Sequence, residues 1–225
     1  MTATLDREVT LAPADAPRRI GTVLAMVLAP WGFLVANACY AWATRDGGSD
    51  ETGAESLALA AAHPALLRAS TIAALLGCLL VVPAALGAIR FTRNRANRLG
   101  LVGGSLMIGG YVAYFGATMR GFVDLAMADR GGPTGDYAAV LDAASESAIP
   151  FLLLFVVGNI LGTLLLGIAM LRARTAPAWA AVAICCWPVL HVTGLIAGTE
   201  WFEVAGATLQ AVGFAALALR LARTG

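Results

Sequence analysis

Residues 66–98 read Leu-Leu-Arg-Ala-Ser-Thr-Ile-Ala-Ala-Leu-Leu-Gly-Cys-Leu-Leu-Val-Val-Pro-Ala-Ala-Leu-Gly-Ala-Ile-Arg-Phe-Thr-Arg-Asn-Arg-Ala-Asn-Arg. No charge interrupts the run between Arg68 and Arg90, and four arginines then follow at 90, 93, 95 and 98. An uncharged run of this length matches the ~20 residues a helix needs to cross ~30 Å of hydrocarbon. Backbone polar groups find no water there, so a helix is the form that satisfies them within the segment. Five more runs of the same kind lie roughly at 20–44, 99–119, 148–171, 177–198 and 201–219. The spacing predicts an all-α, polytopic membrane bundle of six transmembrane helices, forming one domain over 20–222. A hydrophobic fraction of 59% with only 13% charged residues agrees, because a soluble domain of this size carries a charged surface that this chain lacks.

Charge along the chain alternates between loops, so the formal net charge of +1 averages two unlike faces. Arg18 and Arg19 precede the first run, Arg90 to Arg98 follow the second, Arg172 and Arg174 follow the fourth, and Arg220 and Arg223 follow the sixth. Asp46, Asp50, Glu51 and Glu55 fall after the first run; Asp129, Asp136, Asp142 and Glu146 after the third; Glu200 and Glu203 after the fifth. With six spans all these arginines share one side, which the positive-inside rule makes cytoplasmic, together with both termini. Residues 1–19 read as a polar cytoplasmic tail, because their mixed charges and prolines do not resemble a cleavable leader. Every cation is arginine, so a lysine Schiff base is excluded. Cys39 and Cys78 stand alone and Cys185 and Cys186 are adjacent, about 100° apart on a helix, so all four read as small packing residues rather than a redox or metal motif.

Two acidic, alanine-rich segments, 51–62 before Pro64 and 136–148 before Pro150, are strong helix formers and predict short helices at the outer face. The runs after these prolines end alike, in Leu-Gly-Ala-Ile-Arg at 86–90 and Leu-Gly-Ile-Ala-Met-Leu-Arg at 166–172. That likeness fits a duplication, and more economically the common ending of any helix running toward a basic face. Glycines four apart at 100 and 104, 158 and 162, and 194 and 198 suit close helix packing within the chain first, and a homo-oligomer contact second. Trp42 and Trp201 fall at the outer interface and Trp179 at the inner one.

Polar groups in the spans carry the functional signal, since hydrocarbon penalises them unless they pair or face a cavity. Asn37, Tyr40, His63, Arg68, Tyr114, Arg120, Asp124, His191 and Glu200 map to the outer half, Asn159 and Gln210 nearer mid-depth, and the inner half holds almost none. The expectation is an outward-facing polar recess with an apolar floor, and a ligand-binding set of Asn37, Tyr40, His63, Arg68, Arg120, Asp124, His191 and Glu200. Arg68, one turn past Pro64, suits either a carboxylate or phosphate clamp or a structural ion pair. Arg120 and Asp124 are spaced for a local ion pair. Asp124, Glu146, Glu200 and His191 are the catalytic candidates if the protein is an enzyme. The two histidines lack the spacing of a metal or haem site, so no metal and no cofactor is expected, and no nucleotide loop or nucleic-acid motif occurs.

The segments Arg18-Arg19-Ile-Gly-Thr-Val-Leu, Ala65-Leu-Leu-Arg68 with its apolar run to Arg90, and Gly162 to Pro177 followed by Ala178-Trp179-Ala180 resemble an uncharacterised bacterial family of six-helix membrane domains. The resemblance implies the six-helix fold, a bacterial inner membrane location and a role for Arg68; it implies no activity. The chain departs from that pattern in its long 125–147 segment. Three function classes follow: a protein that binds a lipid or small amphiphile or serves a partner, a transporter, and an intramembrane enzyme on an apolar substrate such as an isoprenoid cyclase. An acid in an aromatic-lined pocket favours the enzyme, a continuous polar path the transporter, and an acid-free recess binding.

Overall fold

The computed structural model describes residues 15–93, 95–131 and 134–223, and it is helical throughout, with no strand among these residues. Six helices have the length and hydropathy to cross a membrane. The expected N-terminal tail lies outside the described residues up to position 14; helix α1 runs Asp15–Thr44. Then come α2 (Gly53–Ala62), α3 (Pro64–Ile89) with a 3-10 turn at Arg90–Thr92, α4 (Asn97–Thr118), α5 (Arg120–Arg130), α6 (Thr134–Ala173), α7 (Ala178–Ala197) and α8 (Trp201–Arg223).

The spanning helices close into a ring in chain order: α1 packs on α3, α3 on α4, α4 on α6, α6 on α7, α7 on α8, and α8 returns to α1. Neighbours are antiparallel, and glycine sets their distance. A Cβ on Gly162 would lie 2.5 Å from the Met107 amide nitrogen, and one on Gly158 2.6 Å from the Leu106 carbonyl, so α4 and α6 touch backbone to backbone. Gly32 meets Ala73 and Gly77 in the same way, joining α1 to α3. Gly100 and Gly104 make room for Thr92 and Ile89, and Gly198 caps α7 in the left-handed region at φ 64°. The pairs at 100 and 104 and at 158 and 162 are thus occupied inside the bundle, whereas in the third pair only Gly194 packs, on Thr199 and Phe202, and Gly198 is exposed. Lipid removes the hydrophobic drive between helices, and such close contact supplies dispersion in its place.

The ring buries Met26, Leu166, Met170, Ile184, Phe214 and Leu217 on its axis. Its outer surface is apolar as well, with Leu28, Val35, Leu79, Phe151, Leu153 and Val189 exposed toward the hydrocarbon. The turns carrying Arg18 and Arg19, Arg90 to Arg98, Arg172 and Arg174, and Arg220 and Arg223 gather at one end, and the carboxylate-rich loops at the other.

At the acidic end α2, α5 and the first turns of α6 pack into a cap. A capping box of Thr52 and Glu55 starts α2, and the Gly53 amide donates to Asp142 Oδ1 at 2.6 Å. Of the two segments expected as short outer helices, α2 is one; the other is continuous with α6. The difference lies at the prolines. Pro64 follows His63, whose backbone is pushed out of the helical region (φ −131°, ψ 49°), so α2 and α3 break. Pro150 deprives the Glu146 carbonyl of its N–H, but both residues are exposed and α6 runs through. Helix α5 carries no separate signal in the sequence, where its residues read as the end of the third span and a loop.

Candidate functional site

All six spanning helices contribute to one cavity of about 300 Å³ at the acidic end of the axis. Its walls come from Phe33, Ala36, Asn37 and Tyr40 of α1, Ser70 of α3, Tyr111 and Tyr114 of α4, Phe155 and Asn159 of α6, Trp187 and His191 of α7, Glu203 of α8, and Asp50 and Glu200 of the loops. The deeper part is aromatic. Phe33 stacks on Tyr111 with centroids 4.4 Å apart, and Tyr114 stacks on Phe155 at 4.1 Å. Below them the axis is sealed by the buried Met26 and Phe214.

Several polar wall groups are placed by a specific contact. Ser70 Oγ donates to the Ala36 carbonyl at 2.9 Å, fixing α3 against α1 beside the cavity. The close α4–α6 approach at Gly110 brings the fully buried Asn159 to the Tyr111 phenol. Tyr40 donates its hydroxyl to Asp50 Oδ1 at 2.6 Å, tying the loop to α1. His191 stacks on Trp187, centroids 5.0 Å apart, and its Nδ1 lies 2.5 Å from Glu203 Oε1. Glu200, in the loop between α7 and α8, has its pKa pushed up to about 7, chiefly because the fold strips water from it, and also because Glu203 and Asp50 repel its charge, with His191 opposing.

Of the residues picked from sequence, Asn37, Tyr40, His191 and Glu200 line the cavity together. Arg120 and Asp124 belong instead to the cap: Arg120 Nε lies 3.4 Å from Asp124 Oδ1, Asp124 Oδ2 accepts from Ser56 at 2.8 Å, and Arg120 also reaches Ser145. This cluster joins α5, α2 and α6. Glu146 is exposed on α6, and His63 sits half-buried at the α2–α3 break. Arg68 was expected to line the recess and does not: Ser70 and Gly77 turn toward α1, which leaves Arg68 on the exposed face of α3. Arg68 lies one turn into α3 from Pro64, but position along the helix says nothing about the helix face.

In the sequence Glu203 and Asp50 read as loop charges, and Phe33, Phe155 and Ser70 carry no signal that groups them with the site. One signal was available: α7 and α8 form a tight hairpin, and His191 and Glu203 are equidistant along the chain from Ala197, so antiparallel pairing brings them level. Among the described residues no three His, Cys, Asp or Glu side chains converge as a metal site, and all four cysteines are unpaired. Comparison with known proteins finds no matching family model, no matching curated protein and no matching solved structure. The functional reading therefore rests on the cavity.

Proposed function

We propose that this multi-pass membrane protein binds a small amphiphilic or lipid-derived molecule in the axial recess, with the arginine-rich end cytoplasmic and the recess opening on the far face of a bacterial inner membrane. The observation that carries the reading is the composition of the cavity: all six helices contribute, aromatic walls sit below a polar rim, and its volume is at the small end of the ~300–1,000 Å³ typical of ligand sites. Orientation rests on the arginine loops. A transport path is not favoured, since the apolar cluster that includes Met26, Met170, Phe214 and Leu217 packs the axis below the recess.

Native mass spectrometry of the gently solubilised full chain tests the proposal. A retained small molecule of defined mass, lost on Ala36→Leu, which narrows the recess, supports it. The same adduct retained at equal occupancy in that variant overturns the recess as its location.

One observation favours a second reading, an intramembrane enzyme. Glu200, with its pKa near 7, is a proton donor at neutral pH beside aromatic rings that stabilise positive charge. Under that reading Glu200→Gln retains the ligand unchanged and fails to convert it; a ligand lost in Glu200→Gln assigns the residue to binding.

A further inference from the structure

The charge inventory of the recess is one-sided. Asp50, Glu200 and Glu203 face it, and no arginine contributes to its wall among the described residues. Among the described residues, no contact to these carboxylates from the recess walls comes from an arginine. Tyr40, which bonds Asp50, is a neutral donor. His191 faces Glu203 alone at contact distance. Glu203 is largely buried, Glu200 holds its proton more tightly because the fold strips water from it, and Asp50 lies exposed at the mouth; a cleft lined by one sign of charge concentrates the opposite ion. Below the acids the wall is formed by rings, and aromatic faces attract cations within about 6 Å of their centroids. A metal ion uses none of that aromatic surface, and no three donors converge to hold one among the described residues. An anion meets only repulsion there, and a neutral amphiphile leaves the acids uncompensated.

We propose that the recess selects an organic cation, an alkylammonium or quaternary ammonium group, held by Asp50 and Glu203 and enclosed by the rings of Tyr111, Phe155 and Trp187. This deepens the reading of the recess as a binding site and rests on it. The cation is a free amine or the headgroup of a lipid; the chemistry that recognises it is the same. The cavity accommodates the headgroup, and any alkyl chain leaves through the mouth.

Isothermal titration of the full chain in a neutral maltoside detergent tests the proposal, with hexyltrimethylammonium as probe and hexanol and hexyl sulfate as controls. The expected result is one saturable site for the cation, at least tenfold tighter than for either control, and weakened tenfold or more in both Glu203→Gln and Asp50→Asn. Glu203 also contacts His191, whereas Asp50 lies in a loop, so Asp50→Asn reads the charge without disturbing a helix. Displacement by tetramethylammonium but not by dodecylphosphocholine supports a free cation; the reverse supports a lipid headgroup. Cation binding that survives both substitutions overturns the proposal. Controls that bind as tightly as the cation and are blocked by Ala36→Leu overturn the cation class while the recess stands. If no probe binds, in the parent chain or in Ala36→Leu, the recess reading fails with it.

Discussion

His191 Nδ1 and Glu203 Oε1 meet at 2.5 Å across the α7–α8 hairpin, both largely buried, with the Trp187 ring stacked against the imidazole. The contact joins two consecutive spans at the wall of the recess, so it acts on stability and on the site at once. Removing one member leaves a buried polar atom without its partner, which typically costs about 1–3 kcal/mol. Glu203→Leu is therefore expected to lower stability by about 2 kcal/mol. Glu203→Gln, which keeps an acceptor oxygen for the imidazole, costs about 1 kcal/mol. Thermal unfolding in detergent reads both, and equal losses for the two variants would show that the contact contributes nothing beyond packing.

Glu200 makes folding stability depend on pH. Its pKa in the fold, about 7, lies above the ordinary 4.5, so the folded state holds this proton more tightly than the unfolded chain. The resulting contribution is fully present below about 4.5 and is lost as pH rises through about 7. Discounted for partial solvent exposure, it is about 1–2 kcal/mol. The melting temperature is expected to fall between pH 5 and pH 8, and to fall less in Glu200→Gln. Parallel profiles for parent and variant would remove Glu200 as the cause.

Gly162 sets the α4–α6 distance. An added methyl group would sit 2.5 Å from the Met107 amide nitrogen and 2.8 Å from the Gly103 carbonyl, both backbone atoms with little freedom to yield. Gly162→Ala is expected to cost about 1–3 kcal/mol by overpacking. Gly109, whose Cβ would meet nothing within 4 Å, is the control and its alanine variant is expected to be neutral or better. Comparable melting temperatures for the two variants would contradict the backbone contact.

The cap depends on two acids that reach across the sequence. Asp142 accepts from the Gly53 amide, and Asp124 accepts from Ser56 while pairing with Arg120. Asp142→Ala is expected to raise amide hydrogen exchange across 53–62 at least tenfold, corresponding to about 1.4 kcal/mol, and to leave the buried amides of α4 and α6 unchanged. Exchange that stays flat in α2 would mean that the helix is seated by its apolar contacts alone.

How far the fold was legible in the sequence follows from which signals are local. Six spans and their alternation could be read because each uncharged run is long enough on its own, and because Arg90–Arg98 and Asp46–Glu55 mark opposite ends without reference to any other segment. The continuity of α6 through Pro150 was not legible, since whether a proline breaks a helix depends on the exposure and packing around it and not on the residue alone. The site was half legible. Asn37, Tyr40, His191 and Glu200 stood out as polar groups at a common depth. Arg68 shares that depth but sits on the wrong face of α3, a matter of helical phase fixed only once Ser70 and Gly77 are seen against α1. Phe33 and Phe155 carry no polar signal at all, and nothing in an apolar run distinguishes a ring facing a cavity from one facing lipid.

The closure of α8 onto α1 makes the ring a circle of helix hairpins with no privileged starting point. The last wall of the recess, with Glu203, is set only when the final span arrives beside the first, so under the proposed binding role ligand occupancy would double as a report of complete assembly. It also follows that joining the two ends of the described chain by a flexible linker and reopening it in the Arg174–Pro177 turn, at the same end of the bundle, should regenerate the same recess from a reordered sequence.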